Sequence, residues 1–189
     1  MKNEAHVGQD DLPSLRNIVL IGFMGTGKSS VGRALHQNLG YQLIDTDQSI
    51  EKQTGKSIPD IFSKDGESVF RNLETQLLEQ LISSETTKHI ISTGGGMVCK
   101  AENRTMLRQL GFVVWLSCSP QDILERTSKN NNRPLLQGDN PRQAIEELLR
   151  ERTPFYAETA HLEVNTTGLS LDEVSCGILK SARYHFGSK

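Results

Sequence analysis

Eight consecutive residues, Gly22-Phe23-Met24-Gly25-Thr26-Gly27-Lys28-Ser29, combine a backbone free to bend with a cation and a hydroxyl. Glycines let the chain wrap with its N–H groups turned inward, and the start of a following helix adds positive potential, so an anion is the natural guest. The spacing is GxxxxGK[ST], in which the lysine bridges β- and γ-phosphates and the hydroxyl faces Mg²⁺. The phosphate-contacting residues expected from it are Gly25, Thr26, Gly27, Lys28, Ser29 and Ser30. A plain strand-to-helix turn is the alternative, but the motif here sits between a strand and a helix as phosphate binding requires.

Further along, three groups of residues could act on whatever receives the phosphate. Asp45 and Asp47 follow an apolar run. Two apart at a strand end, they would point to one side, one holding Mg²⁺ through water and the other taking a hydroxyl proton, unless they merely cap a helix beginning near Ser49. Gly94-Gly95-Gly96 is either a tight turn or a backbone surface that a small ligand can approach closely. Arg71, Arg152 and Arg133 stand beside aromatic, Pro-containing or polar segments. A pair of guanidinium forks can grip a carboxylate, and one on a loop can neutralise charge on a transferred phosphoryl group, although a solvated position is the ordinary fate of an arginine.

These groups need a scaffold that brings distant segments together. Ile18–Ile21 reads as a strand buried on both faces and central in a parallel sheet. Val31, Leu35 and Leu39 mark a helix that Gly40 stops. Tyr41–Ile44 is a second strand, residues 58–62 a short helical turn, and Val69, Leu73, Leu77, Leu78 and Leu81 the apolar stripe of a long helix. Strands at His89–Ser92, Phe112–Leu116 and Leu162–Val164 alternate with helices at Ala101–Leu110, Pro120–Ser128, Arg142–Ala160 and Leu171–Arg183. That alternation predicts a three-layer α/β/α sandwich with helices on both faces of the sheet. Residues 1–16 are expected to be a mobile tail, 17–189 a single domain, and the polar stretch at about 128–141 a mobile lid.

With 189 residues, 21 basic against 23 acidic side chains and 35% hydrophobic residues, the composition is that of a soluble protein without the positive excess of a nucleic-acid binder. No apolar run approaches the roughly 18 residues needed to span a bilayer, and the N-terminal residues lack the apolar stretch of a secretory signal. Three scattered cysteines and five unpaired histidines predict reduced thiols and no protein-only zinc site. The expectation is a cytoplasmic monomer acting on small molecules, with neither nucleic acid nor membrane as partner. There is no room for a motor's second domain and no guanine-reading NKxD, so a small-molecule kinase is the remaining class.

GFMGTGKSSVGRALHQNLG followed by DTD, then FSKDGESVFRNLE, TGGG, NNRPLL and ERTPFY, in order from about Ile18 to the final helix, resemble the shikimate kinase family. The resemblance implies a fold like that of nucleoside monophosphate kinases, with a five-stranded parallel sheet. It implies transfer of the γ-phosphate of MgATP to the 3-hydroxyl of shikimate, on the route to chorismate and aromatic amino acids. It further implies that Asp47, Arg71, Arg152 and the Gly94–Gly96 turn hold shikimate, with Asp47 as base and the arginines on the carboxylate, within an acceptor region at about 45–75. Lys28 and Ser29 would serve phosphate and metal, Asp45 the metal through water, and Arg133 the lid, with Arg126 and the loop Asn165-Thr166-Thr167 on the adenine side.

Glu74, three residues beyond Arg71, is spaced to orient that guanidinium. Phe62 and Phe70 are either walls of the acceptor pocket or core, and Trp115 is core. The third strand ends without the acidic residue common in phosphate-loop proteins, a feature the family shares. Gluconate phosphorylation and a catalytically silent nucleotide-binding module are the rival readings.

Overall fold

The computed structural model describes residues 17–128 and 140–187. The expected N-terminal tail, and all of the expected lid except its ends, including Arg133, lie outside these residues. Five strands, β1 (Asn17–Ile21), β2 (Gln42–Asp45), β3 (His89–Ser92), β4 (Phe112–Ser117) and β5 (Leu162–Asn165), form one sheet in the order β2-β3-β1-β4-β5, every pair parallel. Central β1 is buried along its whole length, as its unbroken apolar run requires.

Alternate residues of the inner strands feed two separate cores. Val19, Ile21, Ile91 and Val113 pack on one face with α2 (Thr46–Thr54), α3 (Ile58–Lys64), α4 (Glu67–Ser83), α5 (Ala101–Leu110) and α7 (Pro141–Thr159). Ile18, Leu20, Ile90, Val114 and Leu116 pack on the other with α1 (Lys28–Leu39) and α8 (Leu171–Gly187). The period of two along each strand thus produces the three expected layers. A third cluster, Phe23, Met24, Ile123 and Ile145, joins the phosphate loop to α6 (Pro120–Thr127) and α7.

Two expectations need correcting. The helix after β2 begins at Thr46, not near Ser49, because the Asp45 side chain caps it by accepting from the N–H groups of Asp47 (3.1 Å) and Gln48 (3.2 Å). Asp45 and Asp47 are therefore a cap and a first-turn residue, not two positions on a strand. The buried face of α4 is also rotated from the expected stripe. Val69 is 41% exposed, while Phe70, Arg71, Glu74, Leu77, Leu78 and Leu81 are buried. Charged residues occupy that face because it borders a polar cavity as well as the core. The other boundaries differ by a few residues at most, and α7 runs through Pro154.

Candidate active site

The carboxyl ends of β1, β2 and β3 open onto two adjoining cavities, where an open parallel sheet places its ligands. The first, about 330 Å³, is lined by Gly25, Gly27, Lys28, Ser29, Ser30, Asp45 and Arg126, among others. The second, about 420 Å³, is lined by Phe62, Phe70, Arg71, Glu74, Gly96 and Arg152, with Glu51 and the start of α3 at its side. Met24, Asp47 and Gly95 line both.

The first cavity is the phosphate loop. Gly22 has φ 138° and lies so close to the Leu116 carbonyl that a Cβ would collide with it, and Gly27, at φ 97°, starts α1 in the left-handed region. Lys28 is folded back, its Nζ donating to the carbonyls of Gly22 (2.7 Å) and Phe23 (2.8 Å). Thr26 turns its hydroxyl inward to Phe23 O, 2.8 Å, bracing the loop from inside. Ser29 Oγ donates to Asp45 Oδ2 at 3.4 Å, so the carboxylate that caps α2 through Oδ1 presents its other oxygen to the loop. Arg126 reaches Gly25 O at 3.2 Å. Thr166 bonds to Thr26 O (3.4 Å) and Ser117 O (3.1 Å), and Thr167 to Asp122 (2.8 Å), which puts the 165–167 loop behind the phosphate loop and outside the lining of either cavity.

The second cavity is built from side chains of separate elements. On α4, Arg71 is gripped by Glu74 (2.7 Å to Nη1) and by Glu67 (2.7 Å to Nη2, 3.1 Å to Nε). Glu74 was foreseeable at i,i+3, whereas Glu67 was missed although its i,i+4 spacing is an equally good signal. The Arg71 guanidinium also sits 5.4 Å from the Phe70 ring centre and 6.0 Å from that of Phe62, and the two rings are 5.0 Å apart. The phenylalanines thus line the cavity and pack into the core at once, so the two alternatives for them are not exclusive. From α7 comes Arg152, 3% exposed and 5.9 Å from the Phe23 ring centre, its Nε without a hydrogen-bond partner.

Burial opposes the charge of Arg71, but the adjacent Glu74 and Glu67 outweigh it and hold the guanidinium protonated. Burial pushes Glu74 up to about 7; Arg71 and Arg152 pull it down while Asp47 pushes the same way as burial. The glycine turn connects the two sides. Gly94, Gly95 and Gly96 all have ordinary φ, so close approach is what excludes side chains there. A Cβ on Gly94 would lie 2.6 Å from Asp47 Oδ1, and one on Gly96 would overlap the Arg71 guanidinium.

The expected site residues within the described chain line one of the two cavities, except Thr26, which braces the phosphate loop from inside, and the 165–167 loop, which lies behind it. A model of the shikimate kinase family matches residues 24–183. A shikimate kinase from Methylococcus capsulatus is 50% identical over 151 residues, spanning 80% of this chain and 83% of that protein. The structure of the Acinetobacter baumannii shikimate kinase in complex with shikimate superposes with a TM-score of 0.86 at 41% identity, covering 92% of this chain and 96% of the other. A gluconokinase from Sinorhizobium meliloti 1021, 20% identical over 94% of this chain and 98% of its own, gives a TM-score of 0.53, a likeness of fold alone. Matched in sequence across most of its length and in the arrangement of its strands and helices, the chain belongs to the shikimate kinase family.

Proposed function

We propose that this chain transfers the γ-phosphoryl group of ATP to the 3-hydroxyl of shikimate, giving shikimate 3-phosphate and ADP. The observation that carries the reading is the position of Asp47, which lines both the phosphate cavity and the cavity of the two buried arginines. In the reaction the acceptor oxygen bonds to the γ-phosphorus as the bond to ADP breaks, and the hydroxyl proton passes to the Asp47 carboxylate. Arg71 and Arg152 hold the acceptor's carboxylate, Phe62 and Phe70 cover its ring, and Glu74 and Glu67 keep Arg71 in place. The loop N–H groups and Lys28, exchanging its bonds to Gly22 and Phe23 for phosphate oxygens, bind the nucleotide, with Arg126 at the rim.

Ser29 Oγ and Asp45 Oδ2, two hard oxygen donors at one end of the phosphate cavity, suit Mg²⁺, which prefers oxygen and keeps several waters. Ser29 would hold it directly and Asp45 through water, and its charge would offset that of the phosphates.

Residues from 17 onward act as one kinase domain, with acceptor contacts concentrated at about 45–75. Among the described residues no helix is long and apolar enough to cross a membrane. The protein is read as a cytoplasmic monomer acting on small molecules. Phosphorus and proton NMR of MgATP, shikimate and the protein test the chemistry. A new phosphate monoester coupled to the ring proton at C3 is expected. Phosphate on another hydroxyl, or inorganic phosphate alone, would contradict the assignment.

A further inference from the structure

Tyr156 is fully buried in the core beneath the second cavity, its ring stacked 5.8 Å from that of Trp115, and its hydroxyl donates to the Gly95 carbonyl at 2.5 Å. It stands one helical turn beyond Arg152 on α7, so one helix carries both a carboxylate grip and a brace for the glycine turn. The described residues contain no cis peptide bond. In a trans peptide the carbonyl and the following N–H point to opposite sides. A Gly95 carbonyl drawn into the core by Tyr156 therefore turns the Gly96 N–H the other way, on the side of the cavity that Gly96 lines. Gly96 also lies directly against the Arg71 guanidinium.

We infer that Tyr156 is a positioning residue for the acceptor: its hydroxyl fixes the Gly95–Gly96 peptide so that the Gly96 N–H joins Arg71 in donating to the acceptor's carboxylate. The inference rests on the reading of this cavity as the acceptor site. On its other side Gly95 lies close against the phosphate loop, where a Cβ would stand 3.2 Å from Met24 N and 3.5 Å from Gly22 O, which limits movement of the peptide in that direction. Loss of the tyrosine hydroxyl accordingly disturbs the acceptor side more than the nucleotide side. Burial of the ring is unchanged in Tyr156→Phe, which leaves the Gly95 carbonyl unsatisfied and also removes the hydroxyl's hydrogen bond with the Arg152 side chain, so the Gly96 amide, and not KM alone, isolates the effect on the peptide.

Steady-state kinetics of Tyr156→Phe with shikimate and MgATP should show KM for shikimate raised about tenfold, as expected for loss of a well-placed buried hydrogen bond, with KM for MgATP within about twofold. A second measurement follows the Gly96 amide itself, and its wild-type arm does not depend on the variant folding. In ¹⁵N-labelled wild-type protein, saturating shikimate should move the Gly96 amide proton downfield, a shift that Tyr156→Phe diminishes. An unchanged KM for shikimate, or a Gly96 amide that ignores shikimate, would overturn the inference while wild-type turnover of shikimate leaves the functional reading intact. Equal losses for both substrates would overturn it too, reducing Tyr156 to packing. No wild-type turnover of shikimate at all would remove the functional reading and this inference together.

Discussion

The two cavities meet at Asp47 but are made differently. Half of the residues lining the phosphate cavity come from one uninterrupted stretch, Met24–Ser30, which brings backbone N–H groups, a lysine and two hydroxyls, with Arg126 reaching in from α6. The second cavity draws on α2, α3, α4, the glycine turn and α7; Arg71, Glu74 and Arg152, all buried, line it, and Arg71 is braced by Glu67 and Glu74. Phosphate is common to many substrates and can be held by geometry that any suitably bent backbone supplies. One particular hydroxy acid needs charges at fixed separations, which only tertiary packing sets. The generic half of the site is therefore local in sequence, and the selective half is distributed.

Substitutions should separate the halves, except at their shared wall. Asp47→Asn is expected to lower kcat by about 10²-fold or more while MgATP affinity, measured by titration, hardly changes; near-normal turnover would remove Asp47 from the chemistry. Arg152→Lys replaces a fork with a point charge, and KM for shikimate should rise roughly 10- to 100-fold with KM for MgATP unaffected. If the two constants move together, the cavities are not independent.

Glu74→Gln probes the bracing through pH. Because burial raises the folded-state pKa of Glu74 to about 7, above its ordinary value of 4.5, the folded protein binds this proton more tightly than the unfolded chain does. Stability from this group is fully present below about pH 4.5 and declines as pH climbs towards 7. Melting temperatures across that window should show the variant lacking this part of the decline; parallel curves would mean that Glu74 keeps an ordinary pKa. Smallest of all, Arg126→Ala removes one exposed contact to Gly25 and should change KM for MgATP by no more than about fivefold.

The contrast between the halves also explains what was legible in the sequence. The phosphate loop and the parallel sheet follow from contiguous residues and simple periodicities, and both appear where expected. Asp45 and Asp47 line the cavities, but not as two positions on a strand, because where a strand ends and a helix begins depends on a side-chain cap and not on hydrophobic pattern. On α4, periodicity assigned Val69 to the interior and gave no hint that Arg71 and Glu74 lie on the buried face, since a functional cavity inverts the rule that charges face water. Asn17, buried and bonded to Thr86 O, Leu110 O and His89 N, ties β1 to its surroundings, and Tyr156 reaches Gly95 across 61 positions. No local spacing encodes such pairings.

ADP release from MgATP with shikimate, with gluconate and with no acceptor, in the wild-type chain and in Lys28→Ala, tests the central claim most directly. Turnover that appears with shikimate alone and falls by about 10²-fold or more in the variant is expected. ADP release that is independent of acceptor, faster with gluconate, or undiminished in Lys28→Ala would contradict it.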